Sequence, residues 1–72
     1  MKQAYIKWHG KRNGQERRAE LRAGARGTGK LIQVVNYWPD SSASWDAADR
    51  AFSEAAAREG YEIVGSDTMT ED

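Results

Sequence analysis

Residues 41–60 carry the pattern that most limits how this chain can fold. Placed on a helix, Trp45, Ala48, Phe52, Ala55 and Ala56 fall at i, i+3, i+7, i+10 and i+11, and they line a single apolar stripe. Asp40, Ser41, Ser42 and Ser44 offer N-caps at one end. At the other end Gly60 can stop the helix in a left-handed conformation, which puts Tyr61 where it can pack back on Ala56. A stripe of this kind is stable only when covered, so the rest of the chain has to supply the cover.

With 72 residues there is room for one small domain and one thin core. The chain has no cysteine, which removes disulfides, thiolate chemistry and zinc-finger ligation. No apolar run approaches the ~20 residues that span a bilayer, and no signal-type apolar region follows Lys2. The expectation is a cytoplasmic protein without membrane contact.

The cover is read as strands. In residues 3–9, Ala4, Ile6 and Trp8 alternate with Tyr5, Lys7 and His9, and the first set is expected to face the helix. Gly10 to Gly14 ends in Asn13-Gly14, a tight hairpin turn signal. The return strand is residues 15–23, with Ala19, Leu21 and Ala23 inward and Arg18, Glu20 and Arg22 outward. Residues 31–37 are apolar on both faces and are expected in an inner position of the sheet. Residues 61–65 form a short fourth strand, running parallel to the third because a helical crossover joins them, and residues 66–72 read as an acidic, frayed tail. The expected fold is α+β: one mixed four-stranded sheet in β-β-β-α-β order, with the amphipathic helix of residues 42–59 packed on one face.

Residues 24–30 fit G-x-x-x-x-G-K, but a phosphate loop needs Ser or Thr next and a helix to receive the phosphates. Leu31 follows, then a β-branched run, so the segment reads as a mobile basic hairpin loop presenting Arg26 and Lys30. His9 is the only histidine and lies among cations, which suits a sheet-surface residue better than a metal ligand or a base. The helix carboxylates read as a solvated face. No cofactor, metal or catalytic group is indicated, and the chain reads as a non-enzyme.

Charge is the more informative feature. Residues 1–30 hold nine Lys/Arg against Glu16 and Glu20, a net +7; residues 31–72 hold nine carboxylates against Arg50 and Arg58, a net −7. Such segregation suits a basic surface for a polyanion, an acidic surface for a basic partner, or self-association, a homodimer included. Trp8, Trp38, Trp45 and Phe52 are assigned to the core, whereas Tyr5 and Tyr37 are expected on exposed strand faces beside the cations. The candidate binding residues are therefore Tyr5, Lys7, His9, Lys11, Arg12, Arg18, Arg22, Arg26 and Lys30. Lys7, Arg18 and Arg22 are expected to be solvated and dispensable for stability.

Two resemblances add to this. Met1 to Lys7 resembles the first strand of some very small phage-encoded anti-CRISPR proteins, and the size and the Ala-rich helix are similar too. That resemblance implies inhibition of a nucleic-acid-handling complex through protein contacts. Trp8, the Gly10 to Gly14 turn and Arg17-Arg18 resemble the arm-type DNA-binding domains of phage integrases, which implies direct docking of a three-stranded sheet on DNA. A third arrangement, in which the acidic helix face imitates a nucleic acid, follows from the charge alone.

Overall fold

The computed structural model describes residues 1–10 and 15–69. Four strands, β1 (Lys2–His9), β2 (Arg17–Ala23), β3 (Leu31–Tyr37) and β4 (Tyr61–Met69), form one sheet, and the helix α1 (Ser42–Glu59) lies between β3 and β4 in sequence. The fold is α+β with a mixed sheet. β1 and β2 pair antiparallel, β2 and β3 pair antiparallel, and β4 joins β1 in parallel. The Asn13-Gly14 turn, together with Lys11 and Arg12, lies outside the described residues.

The helix begins and ends where the sequence signals stand. Ser41 is the N-cap, its side chain accepting from the Ser44 backbone N–H at 3.3 Å. Gly60 is the C-cap, at φ 80° and ψ 32°, with its N–H directed at the carbonyls of Ala56 and Ala57. Ala48, Phe52, Ala55 and Ala56 are buried against the sheet. Opposite them stand Ala4, Ile6 and Trp8 of β1, Ala19 and Leu21 of β2, Tyr37 of β3 and Tyr61 of β4. Trp8 is the centre of an aromatic group, with ring centroids 5.0 Å from Tyr37, 4.6 Å from Trp45 and 5.8 Å from Phe52.

Strand order departs from expectation. The order is β3-β2-β1-β4, which makes β3 an edge strand rather than an inner one. Its apolar open-face residues are not covered, and Leu31 and Val34 are 45% and 40% exposed. The two hairpin pairings already give β2 a neighbour on each side, and the returning chain completes β1, whose Ala4, Ile6 and Trp8 are all buried, instead of β3. β3 and β4 run in the same direction, as a crossover requires, at opposite edges of the sheet.

Tyr37 and Trp38 exchange their expected places. Tyr37 is fully buried, pairs in register with Arg17 on the helix side, and donates its hydroxyl to the Gly10 carbonyl. Trp38, assigned to the core, is 45% exposed just past the strand end. Nor do residues 66–69 fray. They continue β4, laddered to residues 6–9 of β1, so backbone pairing to an otherwise open strand orders a polar segment.

Candidate functional site

The helix covers one side of the sheet, and the other side is where the candidate residues gather. Alternation along β1 sends Tyr5, Lys7 and His9 away from Ala4, Ile6 and Trp8, and alternation along β2 does the same for Arg18, Glu20 and Arg22. The antiparallel register sets them side by side as His9 with Arg18, Lys7 with Glu20 and Tyr5 with Arg22. β3 adds Val34 beside Glu20 and Asn36 beside Arg18, while β4 adds Asp67 beside Lys7.

Glu20 is the hub of this face. It is 6% exposed, yet it holds three basic side chains: Arg22 Nε donates to Oε1 at 2.9 Å, His9 Nε2 lies 3.2 Å from the same oxygen, and Arg18 Nη2 lies 3.4 Å from Oε2. The Arg22 hydrogen bond pulls the carboxyl below its ordinary 4.5, with His9 assisting and burial opposing. Sequence reasoning placed Glu20 on this face but missed its role. The available signal was its place two residues from both Arg18 and Arg22 on one strand face.

The two arginines are therefore not equivalent. Arg18 is mostly solvated, with 58% of its side chain exposed, whereas Arg22 is tied to Glu20 and also donates from Nη1 to the Gly29 carbonyl at 3.2 Å. The expectation that Arg22 is a dispensable solvated charge is thus corrected. Glu62 stands beside Gln3 on the same face, so Glu20, Glu62 and Asp67 offset Lys7, Arg18 and Arg22, and the strands' open face is close to neutral rather than carrying the +7 of residues 1–30.

The 24–30 segment folds back over the start of this face. Gly24 N–H reaches the Gln3 carbonyl at 2.7 Å, Gly29 N–H reaches the Ala23 carbonyl at 2.8 Å, and Ala23 N–H reaches the Lys30 carbonyl at 2.9 Å. These three backbone hydrogen bonds tie both ends of the loop to the sheet. Gly27, at φ 70°, sits so close that a Cβ there would lie 3.0 Å from Lys7 Cε and 3.3 Å from Tyr5 Cβ. On its other side Tyr5 meets Gly65, where a Cβ would be 2.8 Å from its ring. Tyr5 is thereby wedged between two glycines, an arrangement that leaves its ring little room to stack on a base. Arg26 and Lys30 are exposed on the loop, and Lys30 runs directly into β3, so no helix N-terminus stands behind the G-x-x-x-x-G-K segment.

Opposite this face, the outer side of α1 exposes Asp46, Asp49, Glu54 and Glu59 together with Arg50 and Arg58. The outer side of α1 keeps a net acidic balance, whereas on the open sheet face the carboxylates of β2 and β4 offset the basic side chains. Among the described residues there is no enclosed pocket and no group of three His, Cys, Asp or Glu placed to hold a metal ion. No helix among them is long and apolar enough to cross a membrane. Comparison with protein-family models, curated proteins and solved structures gave no match.

Proposed function

We propose that this chain is a non-enzymatic binding protein that docks its open sheet face on an anionic surface of a nucleic-acid-handling complex. The observation that carries the reading is the delivery of Lys7, His9, Arg18 and Arg22 from two adjacent strands to the side the helix leaves uncovered, with Glu20 holding the guanidinium of Arg22 in place. A guanidinium already oriented loses less freedom on meeting a phosphate or carboxylate. The wedged Tyr5 favours contacts to anionic groups over stacking on bases. Inhibition of a CRISPR effector is the specific form that the resemblance of residues 1–7 suggests, and an action on protein and nucleic acid together fits a face of mixed charge.

The test is co-purification from a bacterial lysate with and without nuclease, alongside titration of bare duplex DNA across a salt series. The expected result is a protein partner retained after nuclease treatment and lost by the Arg18→Ala/Arg26→Ala variant, with the Asp46→Asn/Asp49→Asn/Glu54→Gln variant still binding. Tight binding to bare duplex that falls steeply with salt would make the protein a direct DNA binder instead. Loss of the partner only in the helix variant would move the interface to the acidic face.

A further inference from the structure

The geometry points to a second interaction surface, the free edge of β3, and to its occupant: a second copy of this chain, joined by antiparallel β3 to β3 pairing about a two-fold axis. An edge strand offers a row of backbone donors and acceptors to any chain that can lie beside it, and proteins that stay single block such edges with charge, proline or bulges. The two edges of this sheet differ in that respect. β4 carries Glu62 and Asp67 and a bulge where its register with β1 shifts, whereas the seven residues of β3, Leu-Ile-Gln-Val-Val-Asn-Tyr, include neither a charge nor a proline. The register shift of β3 lies at its start, against Leu21 and Arg22, and leaves residues 33–37 regular.

Three of the large apolar side chains that stand exposed, Leu31, Val34 and Trp38, lie on this strand or just past its end. Their clustering at one edge is what an interface would cover. Charge selects the partner and its direction. Lys30 precedes the strand, Asp40 follows it, and both are exposed. Antiparallel pairing of two copies brings Lys30 of each to the Asp40 end of the other and sets no like charges together along the strand. Parallel pairing would place Lys30 beside its own copy, and pairing through β4 would bring acidic strands together.

A two-fold axis normal to the sheet closes the assembly at two chains and makes one eight-stranded sheet. Both helices then lie on one side and both open faces on the other. The rows of Arg18 and Arg22 from the two copies would stand three strand spacings apart, roughly 14 Å. This pairing does not depend on what the open face binds.

The test is the mass of the full chain in solution by light scattering over a concentration series, with Val34→Lys on β3 and Val64→Lys on β4 compared. Both valines are exposed, so neither change empties the core. The expected result is twice the 8.1 kDa chain mass for the parent and for Val64→Lys, and a single chain for Val34→Lys with its cooperative melt retained. If Val34→Lys does not melt cooperatively, Leu31→Lys on the same strand replaces it. A parent that stays at one chain mass throughout, or a pair that survives both β3 substitutions, or growth into open-ended filaments, overturns the proposal.

Discussion

The Nε of Arg22 donates a 2.9 Å hydrogen bond to Oε1 of Glu20, the nearly buried carboxylate two residues before it on the same strand face. The bond turns a surface cation into part of the framework, and the consequences can be measured.

Glu20 is held ionised, its pKa below the ordinary 4.5 chiefly through the Arg22 hydrogen bond. A depressed pKa in the folded state means that the stabilisation is present above the unfolded value and is lost as pH falls through the folded one. Glu20→Gln should therefore lower stability by about 1–3 kcal/mol at neutral pH. Urea titrations at several pH values should show the gap between variant and parent closing as the pH drops below 4.5. A gap independent of pH would show that the ionised carboxylate contributes nothing.

Arg18 and Arg22 should part company on substitution. Arg22→Ala leaves Glu20 without its shortest partner and breaks the bond to Gly29, so it should destabilise the fold measurably. Arg18→Ala removes a 3.4 Å pair from a largely solvated side chain and should stay within about ±0.5 kcal/mol. Thermal melts of the two single variants decide the point, and equal losses would refute it.

Phe52 is fully buried under the helix, with its ring 5.8 Å from that of Trp8. Phe52→Ala should cost roughly 3–5 kcal/mol, a large share of what so small a domain possesses. Loss of cooperative unfolding is the expected readout, whereas coincident melts would mean that the stripe does not carry the core.

Gly65→Ala should act at a distance. The added Cβ would meet the Tyr5 ring at 2.8 Å, and Tyr5 also abuts Gly27, so the 24–30 loop has to move with it. The expected cost is about 1–3 kcal/mol, with faster amide exchange at Gly24 and Gly29, whose N–H groups tie the loop down. Unchanged exchange at those amides would show that Tyr5 does not hold the loop.

Much of this architecture is legible in the sequence. The helix over 42–59 follows from its stripe, its serine cap and Gly60, all of which lie within the segment they define. The faces of β1 and β2 follow from strict alternation, so the grouping of Tyr5, Lys7, His9, Arg18 and Arg22 on one side was readable from the residues. Lys11 and Arg12 lie outside the described residues, and Arg26 and Lys30 stand on the loop, as the glycines around them indicate.

What only the tertiary structure decided is where β3 and its neighbours sit. A run apolar at almost every position has no phase, so nothing in Leu-Ile-Gln-Val-Val-Asn-Tyr-Trp told Tyr37 to turn inward and Trp38 outward. The pairing of Val35 with Ala19, and of Tyr37 with Arg17, set that phase from across the sheet. Strand order likewise depends on partners far apart in the chain: β4 found an open side on β1, and backbone pairing there ordered the polar residues 66–69 that composition assigned to a tail. Local periodicity records which side of its own element a residue takes, whereas the choice of neighbour is settled by long-range packing and hydrogen bonding, which no single segment encodes.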